Sequence, residues 1–112
     1  METLKVREAS RYSSVRALLR AGSRWIQGVM ATKNRETEIA CSAYNPDACC
    51  FCLAGAARHV YGNGKSGKEA LRRLAEAIGH TEGNDEGNVT GWNDQTGRTV
   101  EEVRDIAKKA GV

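Results

Sequence analysis

The chain has 112 residues, including 17 Lys or Arg, 14 Asp or Glu and four cysteines, and its net charge is +3. This length suits one domain with a modest core, and we treat residues 1–112 as a single helical domain. No apolar run approaches the roughly 20 residues of a membrane span, and the N-terminus lacks the apolar core of a signal peptide. We therefore expect a cytoplasmic protein with reduced thiols and no membrane partner.

Charge is distributed unevenly along the chain. Positions 10–35 hold six basic residues and no acid, whereas positions 81–105 hold seven acids and two arginines. These two segments could face each other within one fold or across copies of it, so a homo-oligomer stays open as an alternative to a monomer.

Residues 1–9 predict either a short strand or a frayed helical lead-in. A first long helix is predicted over about 12–31, because its apolar positions recur at helical spacing. These positions are Val15, Leu18, Leu19, Gly22, Trp25, Ile26, Val29 and Met30. Arg16, Arg20 and Arg24 follow one another at intervals of four, which would place them together on the opposite face.

The stretch 47–61 is predicted to be the central helix, with Asp47 as its N-cap. Its small and apolar positions recur in steps of three and one, as expected for one buried face. They are Ala48, Phe51, Cys52, Gly55, Ala56, His59 and Val60. The polar connection before it, 32–45, alternates in places and could hold a short strand.

Two capping boxes predict the starts of two further helices. Ser66 with Glu69 would open a helix over 66–78, and Thr99 with Glu102 would open the last one. Residues 80–97 are rich in Gly, Asn and Asp and predict a long loop. The predicted fold is therefore mainly α, a compact single domain of four helices around the helix 47–61. It has room for one short β element, and 1–9 and 80–97 are its least regular parts.

Three motifs in this order carry a family resemblance: WIQG at 25–28, FCLAGA at 51–56, and WND at 92–94 followed by RTVEEV at 98–103. The chain resembles an uncharacterised family of small bacterial and phage proteins, domain-of-unknown-function family 6197. The resemblance implies a small cytosolic protein, often encoded by a phage or prophage. It implies no activity.

The cysteines and one histidine could suggest a metal or a catalytic site. Thiolate and imidazole groups are the ligands that zinc favours, but there is no C-x-x-C pair, and free cysteines are commonly buried. Cys49 or Cys50 at a helix start could act as a nucleophile with His59. No group that would orient the histidine is evident. We therefore predict core cysteines, no metal and no cofactor, with a cysteine-dependent enzyme as an alternative.

The basic face formed by Arg11, Arg16, Arg20 and Arg24 is the main candidate binding site. Arginines at one-turn spacing can clamp phosphate or carboxylate groups, although a solvated helix face would have the same sequence. The absence of acids among them favours binding, to an acidic protein surface or a phosphate-bearing ligand. Nucleic acid is less favoured, because the helix 66–78 lacks base-reading Asn or Gln.

Asn93 and Asp94 form a second candidate, either as a ligand-contacting lid or as an anchor for the loop. Together these features predict a non-enzymatic binding or interaction protein. On the resemblance, we expect it to be encoded by a phage or prophage and to act on a host component, for example by inhibiting a defence system. The alternative to an interaction protein is a nucleotide or small-anion binder that uses the basic face.

Overall fold

The computed structural model describes residues 3–112 and contains five α-helices and a two-stranded antiparallel sheet. This confirms the mainly helical fold with a short β element, although there are five helices rather than four. The elements in chain order are α1 Val15–Leu18, β1 Ala31–Thr32, β2 Cys50–Phe51, α2 Leu53–Tyr61, α3 Lys65–Ile78, α4 Asp85–Asn93 and α5 Val100–Ala110. The Cα radius of gyration, 12.4 Å, is that of a compact chain.

The buried central helix is α2, but it begins at Leu53 rather than at residue 47. The backbone before it pairs with β1 instead: Cys49 N donates to Thr32 O, and Cys52 N donates to Met30 O. These amides are therefore not available for helical hydrogen bonds. Cys52 is the actual N-cap, and its Sγ accepts from Gly55 N. The positions predicted to be buried are buried except for Ala48, which is half-buried. Burial is not confined to one face, however, since all of α2 except Arg58 is buried.

The predicted first helix over 12–31 is wrong, because α1 ends after a single turn and a 3-10 turn follows at Gly22–Arg24. The Arg104 side chain donates to Leu19 O and Arg20 O, two carbonyls that a longer helix would use itself. Farther along, Ile26 N donates to Phe51 O, which draws this segment toward β2. Arg16, Arg20 and Arg24 therefore do not share one helix face.

Helix α3 begins at Lys65 without the predicted capping box. Its N-cap is Gly64, which has no side chain to offer. Ser66 Oγ instead accepts a hydrogen bond from Lys5 N, and Glu69 bonds with Arg72 and Arg73 farther along the helix. Both members of the predicted box thus bond elsewhere, while the predicted end at Ile78 is confirmed.

The predicted loop 80–97 contains helix α4, whose N-cap Asn84 accepts from Gly87 N. Its glycines and asparagines are poor helix formers, so the composition of this segment did not predict a helix. Helix α5 agrees with prediction: the capping box of Thr99 and Glu102 is present, and Gly111 ends the helix in the left-handed conformation.

The buried apolar core is formed by α2 together with residues from every other helix, including Val15, Leu18, Leu74, Val89 and Val103. In the part preceding α1, residues 3–9 hold neither a helix nor a strand. None of the helices within 3–112 is long and apolar enough to cross a membrane.

Candidate functional site

Asn93 lies at the centre of a hydrogen-bonded cluster that joins the three sequence motifs. Its Oδ1 accepts from Trp25 Nε1 at 2.6 Å and from Leu53 N at 3.0 Å. Its Nδ2 donates to Ile26 O at 3.1 Å and to Asp94 Oδ1 at 2.9 Å. The side chain is fully buried, and an amide has two donors and two acceptor sites, so its bonding capacity is filled internally.

Asp94 extends the same cluster, because its Oδ1 also accepts from Gly28 N at 3.0 Å. Gln27 adds two bonds, from its Nε2 to Asn93 O and to Gln95 O. Asn93 and Asp94 thus fix the segment around Trp25 to the end of α4. This geometry favours the loop-anchor interpretation of the two residues over a ligand-contacting lid.

The four arginines of the basic face meet in a different place, around three adjoining cavities of about 480, 610 and 590 Å³. Arg11, Tyr12 and Arg24 line both the first and the second cavity. Arg20 lines both the second and the third. We call this surface the basic groove and define it by its cationic residues, Arg11, Arg16, Arg20, Arg24, Arg35, Arg104 and Lys108.

Positive charge exceeds negative charge in the basic groove. Among residues 3–112, three acids, Glu36, Asp47 and Asp105, line its cavities beside the seven cations. Within the described residues, none of these cations forms an ion pair. Some arginines elsewhere differ: Arg58 pairs with Glu86, and Arg98 pairs with Glu102. The groove therefore concentrates uncompensated charge.

Three of the groove's arginines are held by backbone carbonyls. Arg24 Nη1 donates to Leu18 O at 3.1 Å, and its guanidinium lies 5.1 Å from the centre of the Tyr12 ring. Arg104 bonds to the backbone of the segment after α1, and Arg35 Nη1 donates to two carbonyls at 2.8 Å. Ordered guanidinium groups lose less conformational freedom when they bind phosphate or carboxylate.

The sequence did not indicate Arg35, Arg104 or Lys108 as site residues. Arg35 lay within the acid-free segment and could have been included. Arg104 and Lys108 lie one turn apart on α5, far along the chain from the other arginines, and only the packing of α5 against the segment after α1 brings them in.

His59 lines the first cavity from α2 and is 4% exposed. Its Nδ1 lies 2.7 Å from Ala43 O, and because a carbonyl only accepts, Nδ1 carries the proton. Burial lowers the pKa of His59, which favours the neutral ring at pH 7. The Ala43 carbonyl thus supplies the orienting group that the sequence did not show.

The thiols of Cys49 and Cys52 have raised rather than lowered pKa values. Burial raises the pKa of Cys52 to about 11, and burial together with the neighbouring Cys50 thiol raises the pKa of Cys49 to about 11. A nucleophilic thiol has a lowered pKa instead. Within residues 3–112 there is no group of three side chains arranged to hold a metal ion.

Fold and groove together define a small, mainly helical protein with an uncompensated basic surface. The chain belongs to the family of unknown function DUF6197, whose model matches residues 6–111. No curated protein shows significant similarity to it, and neither does any solved structure. The family membership confirms the resemblance carried by the three motifs, and it brings no activity with it.

Proposed function

We propose that this protein is a non-enzymatic binding protein that takes an anionic partner in the basic groove. The observation that carries the proposal is the lining of three adjoining cavities by seven cations without an ion pair among the described residues. Leaving like charges close together has an electrostatic cost, and an anionic partner would offset it.

An acidic protein surface fits this groove best, because the charges extend along all three cavities rather than converging at one point. The more specific form of the proposal is that the partner is a host component and the protein is encoded by a phage or prophage, for example to inhibit a defence system. This form is supported by the context that the family resemblance implies. The raised thiol pKa values of Cys49 and Cys52 support a role without covalent catalysis.

A nucleotide or small phosphate-bearing ligand is the second candidate, favoured by the first cavity. Its volume, about 480 Å³, lies within the range of small-molecule sites, and Arg11, Arg24 and Arg35 line it together. Such a ligand would bind at this end of the groove only. Changing Arg16 or Lys108, which line the third cavity, should then leave its affinity unchanged.

Charge reversal tests the groove. Arg11 and Arg20 are exposed, and their side chains make no hydrogen bond to another described residue, so Arg11→Glu with Arg20→Glu should fold normally. Binding would be titrated with inorganic pyrophosphate, a polyglutamate peptide and a short single-stranded oligonucleotide, at low and high salt. We expect the wild type to bind at least one of them, best the polyglutamate, and the double variant to bind it at least about tenfold more weakly.

Lys68→Glu with Lys109→Glu is the matched control, because it makes the same charge change at exposed positions outside the groove. It should retain wild-type affinity, and wild-type binding should weaken as salt screens the contact. Equal losses in both double variants would show a general charge effect and contradict a groove site. Failure of all three probes to bind the wild type would also contradict it.

A further inference from the structure

A pair of adjacent thiols lies in the wall of the first cavity. Cys49 Sγ and Cys50 Sγ are 2.8 Å apart, farther than the about 2.05 Å of a disulfide, and both cysteines are free. Cys49 is half-buried, whereas Cys50 is only 3% exposed. Both line the cavity, so a small molecule inside it would meet the two sulfurs together.

The backbone holds this pair at the entry to β2. Cys49 N donates to Thr32 O at 3.0 Å, and Cys50 is paired with Thr32 in the two-stranded sheet. Successive side chains of an extended strand ordinarily point to opposite faces, which separates their ends. Here the two sulfurs converge, and Cys50 Sγ also contacts Ser23 O at 3.8 Å. The dithiol is therefore arranged before any ligand arrives.

Two adjacent thiols can be joined by a direct disulfide bond or by a single atom that bonds to both sulfurs, and the geometry of Cys49 and Cys50 favours the second. A direct disulfide usually needs Cα atoms at least about 4.4 Å apart, whereas adjacent Cα atoms are about 3.8 Å apart, so the bond would be strained and easily reduced. A single soft atom bonded to both sulfurs avoids that strain, because it bridges them without requiring them to bond. Sulfur ligands favour soft centres of this kind.

We propose that Cys49 and Cys50 form a binding site for trivalent arsenicals of the monosubstituted class, R–As(OH)₂. In the reaction, two S–H bonds and two As–O bonds break, two As–S bonds form, and two molecules of water leave. Arsenic stays trivalent and no electrons are transferred, so no oxidant is required. This inference does not depend on the anionic partner of the basic groove.

The state of the thiols agrees with this chemistry. A Cys49 pKa raised to about 11 keeps the thiol protonated near pH 7, which slows alkylation and disulfide exchange because both need the thiolate. Condensation with an As–OH group releases water and can start from the neutral thiol. The pair should therefore react readily with an arsenical while resisting iodoacetamide.

Phenylarsine oxide, which hydrates to the R–As(OH)₂ form, is the probe. We would add it to native, reduced protein in the presence of excess 2-mercaptoethanol and record the intact mass and the number of free thiols. We expect one adduct per chain, the loss of two titratable thiols, and full release by a competing small dithiol. Two-point attachment should make the affinity about 100-fold higher than for a single thiol.

Cysteine variants locate the site. Cys49→Ser should lose the adduct under monothiol competition, whereas Cys41→Ser, which changes another half-buried thiol, should keep it. Cys50→Ser should behave like Cys49→Ser, and because Cys50 is buried, circular dichroism would check its folding. If Cys50→Ser does not fold, the loss or retention of the adduct in Cys49→Ser tests the proposal alone. An adduct that persists in Cys49→Ser, or a wild-type pair found as an internal disulfide under these reducing conditions, would overturn the proposal.

Discussion

Residues 53–112 and residues 3–52 are held in place by different kinds of interaction, and we call them the helical segment and the N-terminal segment. The helical segment consists of four helices, and three of them begin at a side-chain cap, at Cys52, Asn84 and Thr99. The N-terminal segment has one four-residue helix and two two-residue strands. Side chains of the helical segment, notably Asn93 and Arg104, also bond to its irregular backbone.

The two segments differ in how far apart along the chain their hydrogen-bonded residues lie. In the helical segment, side chains bond to backbone amides within three residues, so the local sequence defines the structure. The N-terminal segment has local bonds of this kind too, for example from Ala17 N to Ser14 Oγ. In addition it is held by bonds that join residues more than 60 positions apart, such as Trp25 with Asn93 and Arg104 with Leu19. The basic groove lies mostly on the N-terminal segment, so its shape depends on these distant contacts. The predictions below test that dependence, beginning with the largest expected effect.

Asn93→Ala should cause the largest loss of stability, about 3–4 kcal/mol, because it leaves the buried Leu53 N and the partly buried Trp25 Nε1 without their acceptor. Urea unfolding followed by circular dichroism would measure it. Hydrogen exchange should increase most in the N-terminal segment.

Asn88→Ala is the control on the same helix, since the bonds of Asn88 Nδ2 within the described part of the chain go to the nearby carbonyls of His80 and Glu82. Its cost should be about 1 kcal/mol. If Asn88→Ala costs as much as Asn93→Ala, the distant bonds of Asn93 are no more important than local ones. The proposed distinction between the two segments would then fail.

Gly55→Ala tests the close approach of the two segments at backbone level. A Cβ at Gly55 would lie 1.9 Å from Met30 O, so α2 and β1 would have to separate, at a cost of about 2–3 kcal/mol. Gly91→Ala is the matched control at an exposed position of α4, where a Cβ meets no atom of the described residues within 4 Å. That change should stabilise the protein by about 0.5–1 kcal/mol. Thermal unfolding should show a lower melting temperature for Gly55→Ala and a higher one for Gly91→Ala than for the wild type. A Gly55→Ala protein as stable as the wild type would contradict the close packing.

Thr99→Ala should have a smaller and local effect. It removes the capping box of α5 and should cost about 1 kcal/mol, because Glu102 N loses the Thr99 Oγ1 acceptor. Native-state hydrogen exchange would show faster exchange in the first turn of α5. Exchange around Trp25 should not change, and a comparable increase there would indicate that the two segments lose order together.

The sequence predicted those parts of the fold that rest on local signals. The buried face of α2, the end of α3 at Gly79 and the capping box of Thr99 all depend on residues within a few positions of one another. The start of α2 was misplaced because the amides of residues 49–52 bond to β1, and periodicity does not report such a pairing. Helix α4 was missed because a cap and two buried side chains, Val89 and Asn93, compensate for its poor helix formers.

The candidate site was predicted in composition but not in geometry. The acid-free segment correctly indicated a concentration of positive charge, and the structure gathers Arg11, Arg16, Arg20 and Arg24 around adjoining cavities. The single helix face that was expected to carry them does not form. Arg104 and Lys108 could not be assigned from sequence, because their approach requires α5 to pack beside α1.

The smallest expected effect is a pH dependence of stability that comes from His59, which links the two segments through Ala43 O. Burial, and to a smaller extent Arg7 and Arg11, lower the pKa of His59 from 6.5 in the folded protein. Above pH 6.5 the ring is neutral in both states, and this contribution to stability is fully present. As the pH falls below 6.5, the unfolded chain takes up a proton that the folded protein resists, so the free energy of unfolding decreases until the folded pKa is passed.

Urea unfolding at intervals between about pH 7.5 and pH 5 would measure this decrease, and His59→Gln should reduce it. Glu69 titrates separately: its hydrogen bonds with Arg72 lower its pKa to about 2, so its contribution is lost only as the pH falls below 4.5. His80 is exposed, and His80→Gln is the matched control that should keep the wild-type profile. Identical profiles for wild type and His59→Gln would show that the His59 contact with the N-terminal segment does not depend on its protonation state.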